Sequence, residues 1–90
     1  MALLIKSNGT KENIDVPRKD RLQFLQKIVG GYIEMVQTVT GKVLIIDEEG
    51  KLKGKEVNED ASKLYINGKE DPIVGNVLIC EEYEINDYEN

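Results

Sequence analysis

The sequence predicts one small α+β domain, built from a sheet, one main helix and a short second helix. Two hairpin-like pairs of strands lie on either side of a short amphipathic segment, and an apolar run at residues 77–80 supplies a late fifth strand. A chain of 90 residues provides apolar side chains for a single core. We therefore expect one domain over residues 1–86, followed by an acidic mobile tail over residues 87–90.

The first pair of strands is predicted from residues 2–6 and 10–16. Ile14 and Val16 alternate with polar residues, which is typical of a strand with one face exposed to water. Asn8-Gly9 lies between the two runs and is the pair best suited to the positive dihedral angles of a type I′ turn. These features together predict a hairpin at the start of the domain.

The main helix is predicted over residues 20–29. Asp20 with Gln23 can form an N-cap pair, and Gly30 follows the last apolar turn, where a left-handed C-cap strains glycine least. The apolar side chains recur at helical spacing and are expected to face the core: Leu22, Leu25, Ile28 and Val29.

The second half of the chain is predicted to contain three strands and the short helix. The strands cover residues 32–39, 43–47 and 73–80, and the four consecutive apolar residues from Val43 indicate a buried strand without a polar face. Asn58 is suited to cap a weaker helical segment. The residues of that segment expected to face the core are Val57, Ala61, Leu64 and Tyr65.

This order of elements resembles the β-grasp, or ubiquitin-like, topology, in which the first and last strands lie side by side in parallel. The expected fold is therefore a small β-grasp-like mixed sheet with one main helix and a short second helix. A sheet made wholly of hairpins, with a helix packed on one face, gives the same order of elements and remains the alternative.

Charge is distributed unevenly along the chain. The net charge of −5 combines seven basic and four acidic residues in residues 1–45 with five basic and thirteen acidic residues in residues 46–90. Because phosphate contacts need clustered positive charge, direct binding of nucleic acid is not expected. The apolar runs are far shorter than the roughly 18 residues of a spanning helix, and Lys6 interrupts the first of them. We therefore expect a cytoplasmic protein without membrane contact.

The composition argues against most catalytic and metal sites. The chain contains no histidine, which removes histidine-based triads and the usual zinc ligand sets. Its single cysteine, Cys80, lies in an apolar strand, where cysteine usually acts as a small core residue. Asp47, Glu48 and Glu49 crowd a turn without the spacing of a calcium loop and are expected to be solvated. We expect no catalytic residue, no metal and no cofactor.

Arg18, Lys19 and Arg21 surround the predicted start of the main helix. Positive side chains there oppose the helix dipole by about 0.3 kcal/mol or more each, so helix stability does not explain them. An anion held by these cations and by the backbone N–H groups would explain them. Tyr32, directly after Gly30-Gly31, joins this candidate anion or partner site because a glycine backbone allows close approach of a ligand. Ordinary surface charge and a simple helix cap are the competing interpretations.

Several short motifs are spread over most of the chain. They are Ala2-Leu3-Leu4-Ile5-Lys6, Gly30-Gly31-Tyr32-Ile33-Glu34, Glu49-Gly50-Lys51-Leu52, Asn58 with Ala61, and Ile73-Val74-Gly75-Asn76-Val77-Leu78. In these motifs the chain resembles a family of small uncharacterised proteins, a domain of unknown function, encoded by phages, plasmids and other mobile elements of Gram-positive bacteria. The resemblance implies a setting in mobile-element biology and no particular reaction.

Two classes of function follow from these observations. The leading hypothesis is a noncatalytic accessory module that binds a host or element-encoded protein, one form of which counteracts a host factor. The alternative is a protein that binds a small anionic ligand, such as a nucleotide, near Arg18, Lys19 and Arg21, in one form at a subunit interface.

Overall fold

The computed structural model describes residues 1–85. The acidic tail predicted over residues 87–90, and the end of the domain predicted at residue 86, lie outside the described residues. In chain order the elements are strands β1 (Ala2–Ile5) and β2 (Lys11–Ile14), helix α1 (Arg21–Val29), strands β3 (Ile33–Gln37) and β4 (Val43–Asp47), helix α2 (Glu59–Leu64), strand β5 (Val77–Cys80) and a single 3-10 turn, Glu82–Glu84. The predicted α+β class, with one main helix and a short second helix, is confirmed.

The five strands form one antiparallel sheet in the order β2-β1-β5-β4-β3. The prediction of a mixed sheet with parallel first and last strands is wrong, because Leu4 of β1 pairs antiparallel with Leu78 of β5. β5 lies between β1 and β4, which run in the same direction. Residues 48–76 leave β4 and re-enter the sheet at the end where β4 stops, so β5 runs opposite to β4 and therefore also opposite to β1. A β-grasp-like topology is therefore not confirmed.

Helix α1 covers one face of the sheet, which we call face one. Leu25 and Val29 are the buried residues of the helix, whereas Leu22, also expected to face the core, is 52% exposed. The buried residues packed on this face with α1 are Ala2, Leu4, Val43, Ile45, Leu78, Cys80 and Ile85, with Ile14, Val16, Phe24, Ile28 and Ile33 partly buried around them. The predicted packing of the helix on the sheet is confirmed.

Helix α2 and the chain around it cover the opposite face, which we call face two. Ala61 and Ile73 are buried there against alternate residues of the central strands, namely Ile5, Leu44 and Val77. Residues 64–66 also run beside β3, where Val39 N–H donates to Leu64 O at 2.9 Å. Because layers cover both faces, β4 is buried along almost its whole length, as its uninterrupted apolar run predicts.

The turn between β1 and β2 differs in type from the prediction. Gly9 has φ 95°, but Asn8 lies outside the positive-φ region that a type I′ turn also requires at that position. Gly9 N–H donates to Lys6 O at 3.0 Å, and Lys6 N–H donates to Thr10 O at 2.9 Å. This pattern is a three-residue loop with a glycine bulge, in which the Asn8 side chain accepts a hydrogen bond from Thr10 N–H.

The two ends of α1 are built differently. Gly30 forms the predicted left-handed C-cap, with φ 87° and its N–H bound to Gln26 O. Asp20 occupies the N-cap position but has φ 53° and makes no side-chain capping bond, so the predicted Asp20–Gln23 cap is wrong. A side-chain cap normally needs extended backbone at this position, and the left-handed conformation of Asp20 departs from it.

Asn58 is the predicted N-cap of α2, and its side chain also connects three parts of the fold. The side-chain oxygen accepts from Ala61 N–H at 3.1 Å. The amide nitrogen donates to Ile5 O on β1 at 3.0 Å and to Gly75 O just before β5 at 2.8 Å. With only 1% of its surface exposed, Asn58 fastens α2 to face two by hydrogen bonds shielded from water.

We expect Asn58→Ala to lower the free energy of unfolding by about 3 kcal/mol. Losing the cap costs about 1 kcal/mol, and leaving two buried carbonyls without this donor costs about 1 kcal/mol each. Chemical denaturation of the purified variant measures the change. Asn67→Ala, at an exposed position, is the control and should change stability by less than about 0.5 kcal/mol. Equal stability of the two variants would contradict the fastening role of Asn58.

Candidate functional sites

Face two is covered only in part, and this leaves two depressions in it. The covering layer on this face consists of the six-residue helix α2 and the irregular chain around it. One depression lies over the β2-β1-β5 side of the sheet and the other over the β4-β3 side.

The first depression is a groove of about 560 Å³, which we call the lysine-rimmed groove. Its floor is apolar and consists of half-buried Leu3 and Ile79, neighbours across β1 and β5, with Ile5 and Leu64 beside them. The charged residues around it are Lys11, Lys42, Lys63, Asp60 and Glu81. An apolar floor inside a polar rim is the usual composition of a protein contact surface.

Ion pairs fix part of this rim. Lys11 Nζ lies 2.8 Å from Asp60 Oδ2, and this hydrogen bond lowers the pKa of Asp60. Lys42 Nζ lies 3.7 Å from Glu81 Oε2. Lys63 contributes a third cation in the last turn of α2, so three lysines face two carboxylates and the rim has a positive balance.

The second depression is smaller, about 180 Å³, and we call it the acidic cleft. Its apolar lining comes from Val36 and Ile46 on the sheet and from Tyr65 and Ile73 on the covering layer. Its charged residues are Glu34, Asp47, Glu48, Asp71 and Lys51, and the Asp47 carboxylate among them is buried and paired with Lys53 and Lys55. Lys51 forms an ion pair with Asp71, so the balance around this cleft is negative.

The structure separates the residues of the predicted anion site. Arg18 and Lys19 are exposed before the start of α1, and half-buried Arg21 uses Nε to donate to Pro17 O at 3.1 Å. Tyr32 follows the other end of α1, about 13 Å away along a nine-residue helix. Arg18, Lys19 and Arg21 therefore lie together, and Tyr32 does not join them.

Tyr32 is 65% exposed and lines a shallow cleft with Gln26, Gly31, Glu49 and Lys53. The neighbouring glycines are explained by the fold. Gly30 caps the helix, and a Cβ at Gly31 would overlap the Lys53 amine and the Asp47 carboxylate. The space beside these two glycines is therefore occupied by side chains of the protein itself, namely Lys53, Lys55 and Asp47, and not left open for a ligand.

Asp47 is the buried centre of an ion cluster that the sequence interpretation missed, and its two lysine partners are partly exposed. Its side chain is 1% exposed, and Oδ2 lies 2.9 Å from Lys53 Nζ and 2.7 Å from Lys55 Nζ. The same two amines donate to the last carbonyls of α1, Lys53 to Gly30 O at 2.9 Å and Lys55 to Val29 O at 2.6 Å. The cluster therefore joins β4, the start of the long β4–β5 connection and the negative end of the α1 dipole.

The pKa of Asp47 reflects this setting. Burial by itself raises the pKa, but hydrogen bonds from Lys55, Lys53 and the Glu49 N–H together outweigh burial and lower it to about 2. Asp47 therefore stays ionised over the whole physiological range. Glu49 is exposed, as the solvated turn predicts, whereas for Asp47 that interpretation is wrong.

Cys80 is buried in face one, in agreement with its expected place in the core. Burial raises the pKa of its thiol to about 11, so the reactive thiolate is scarce at neutral pH. Within residues 1–85, no group of three or more carboxylates and cysteines is placed to hold a metal ion. No helix in this part of the chain is both long and apolar enough to cross a membrane.

The sequence matches the family model described as "Domain of unknown function (DUF3846)" over residues 1–89. The chain belongs to this family. The predicted membership of an uncharacterised domain family is thereby confirmed. No curated protein and no solved structure matches the DUF3846 chain.

Sequence reasoning missed both depressions in the DUF3846 domain, because each is formed by residues far apart in the chain. A signal for the ion cluster was present. Lys53 and Lys55 flank Gly54 shortly after Asp47. Two lysines at this spacing in a turn can both reach one carboxylate. Without the position of α1, nothing in the sequence places the helix carbonyls beside them.

We expect Asp47→Asn to remove a pH-dependent part of the stability. A carboxyl group whose pKa falls from 3.8 to about 2 on folding stabilises the native state above pH 3.8, and that contribution is lost as the pH falls through 2. The shift corresponds to about 2 kcal/mol. Denaturation curves at several pH values should therefore show a wild-type advantage at pH 7 that shrinks between about pH 4 and 2.

Glu49→Gln is the matched control for this measurement, since the same turn loses a charge from an exposed carboxylate. Its stability should stay parallel to the wild type at every pH. A stability gap for Asp47→Asn that is constant from pH 7 to pH 2 would contradict a specific role for the ionised carboxylate.

Proposed function

We propose that this DUF3846 domain is a noncatalytic accessory module that binds another protein through the lysine-rimmed groove. The observation that carries the proposal is the uncovered part of face two, where half-buried Leu3 and Ile79 form the floor of the groove. Leu3 and Ile79 are only half-buried there, whereas the central residues of face one are buried beneath α1. The volume of about 560 Å³ can receive several side chains of a partner.

The resemblance of the short sequence motifs supports a setting in a mobile element of Gram-positive bacteria. In that setting the partner is a host or element-encoded protein in the cytoplasm, and counteracting a host factor is one form of the function. The positive balance of the groove rim favours a partner segment with acidic residues beside apolar ones, because complementary charge directs the encounter.

The test is affinity capture with a matched pair of charge reversals. Lys63→Glu changes the rim of the groove, and Lys27→Glu makes the same change in the last turn of α1, at an exposed position outside it. We expect wild type and Lys27→Glu to capture the same protein from extracts of a Gram-positive host and Lys63→Glu to lose most of it, as quantified by mass spectrometry. Circular dichroism and melting temperature verify that both variants are folded.

Equal capture by Lys63→Glu and Lys27→Glu would contradict the groove as the contact surface. Capture of a protein by the wild type and by both lysine variants, but not by the Arg18→Glu with Arg21→Glu double variant, would place the contact at the start of α1 and not in the groove. Absence of any specifically captured protein would contradict the binding function itself.

The second candidate function is binding of a small anionic ligand at Arg18, Lys19 and Arg21. The observation in its favour is the start of α1, where Asp20 makes no side-chain cap and Arg18 and Lys19 are exposed beside the first helical N–H groups. The contact from Arg21 to Pro17 O shows that one of the three cations also stabilises the turn.

We expect a nucleotide such as ATP to raise the melting temperature if this second function is correct, because a ligand that binds only the native state stabilises it by RT ln(1 + [L]/Kd). The Arg18→Glu with Arg21→Glu double variant should lose that shift, and Lys11→Glu, on the opposite side of the domain, should keep it. No shift for the wild type at millimolar ATP would contradict nucleotide binding.

A further inference from the structure

The acidic cleft is lined by two kinds of surface that together select one type of occupant. Val36 and Ile46 on the sheet, with Tyr65 and Ile73 above them, give it an apolar interior. At about 180 Å³ it is smaller than the roughly 300 Å³ at which sites for drug-sized molecules begin. A cleft of this size accepts a single long side chain.

The carboxylates at its edge are placed to meet a positive charge. Glu34 lies opposite Ile46 in the β3–β4 ladder, and Glu48 lies two residues beyond Ile46. Both are exposed, and within residues 1–85 neither has an ion-pair partner. The only cation lining the cleft, Lys51, is already paired with Asp71.

Leu52 adds an apolar contact at the entrance. It lines the cleft and is 88% exposed, the largest exposed fraction among the large apolar side chains described. A side chain that enters the cleft would cover part of Leu52 with its own methylene groups. Burial of apolar surface there would add to the attraction between the charges.

We propose that the acidic cleft binds one lysine or arginine side chain of a partner protein. Such side chains bury an apolar stem and keep a charged end at the surface, which matches an apolar interior below two carboxylates. The cleft lies across α2 from the lysine-rimmed groove, so this inference does not depend on the function proposed for that groove.

The test uses acetyl-arginine methylamide as the probe and the neutral acetyl-citrulline methylamide as its near isostere. In methyl and amide NMR spectra of the full chain, the arginine probe should shift the signals of Val36, Ile46 and Ile73 in a saturable manner. The citrulline probe should produce little shift there. Added salt should weaken the arginine response, because exposed charges are screened.

Two double variants distinguish binding of the arginine probe in the cleft from its non-specific attraction to acidic side chains elsewhere on the surface. Glu34→Gln with Glu48→Gln should weaken binding of the arginine probe by about tenfold or more, as expected for loss of hydrogen bonds to a charged group. Glu12→Gln with Glu82→Gln removes the same charge at exposed positions outside the cleft and should leave the affinity nearly unchanged. Equal losses in the two double variants, equal shifts with citrulline, or shifts centred elsewhere would each overturn the proposal.

Discussion

Burial of both faces of the central strands is the constraint on which the rest of this fold depends. β1, β5 and β4 carry apolar side chains on alternate faces, so each face needs a covering layer. Helix α1 supplies one layer through Leu25 and Val29, but α2 has a single fully buried residue, Ala61. The buried hydrogen bonds of Asn58 join α2 to β1 and to the chain before β5. The Asp47 cluster joins β4 and the start of the β4–β5 connection to the end of α1.

Local signals in the sequence were sufficient for the type and order of the main strands and helices, but not for the Asp20 cap or the type of the first turn. The limits of β4 and the Gly30 and Asn58 caps follow from periodicity and cap chemistry, and the structure agrees with each. The direction of β5 relative to β1 is not a local property. It depends on where residues 48–76 re-enter the sheet, and a string of elements is compatible with both directions.

The candidate sites were harder to infer than the fold. A basic cluster such as Arg18-Lys19 is visible because its members are adjacent in sequence, and the structure keeps them together. The two depressions join residues that are far apart in the chain, as Leu3 with Ile79 and Val36 with Ile73 illustrate. The depressions exist because the covering layer of face two, which contains the six-residue helix α2, leaves part of the sheet open. Composition and residue spacing do not show which part of the sheet the covering layer leaves open.

The position of β5 has a consequence for folding of the chain during its synthesis on the ribosome. The β1–β2 and β3–β4 hairpins do not touch each other in the sheet, and β5, the last strand along the chain, is the element that joins them. An isolated two-stranded hairpin is at best marginally stable in water. Until residues 77–80 are available, β1 and β4 lack the strand that lies between them in the sheet. We therefore expect the complete sheet to form only once the last strand of the chain is available.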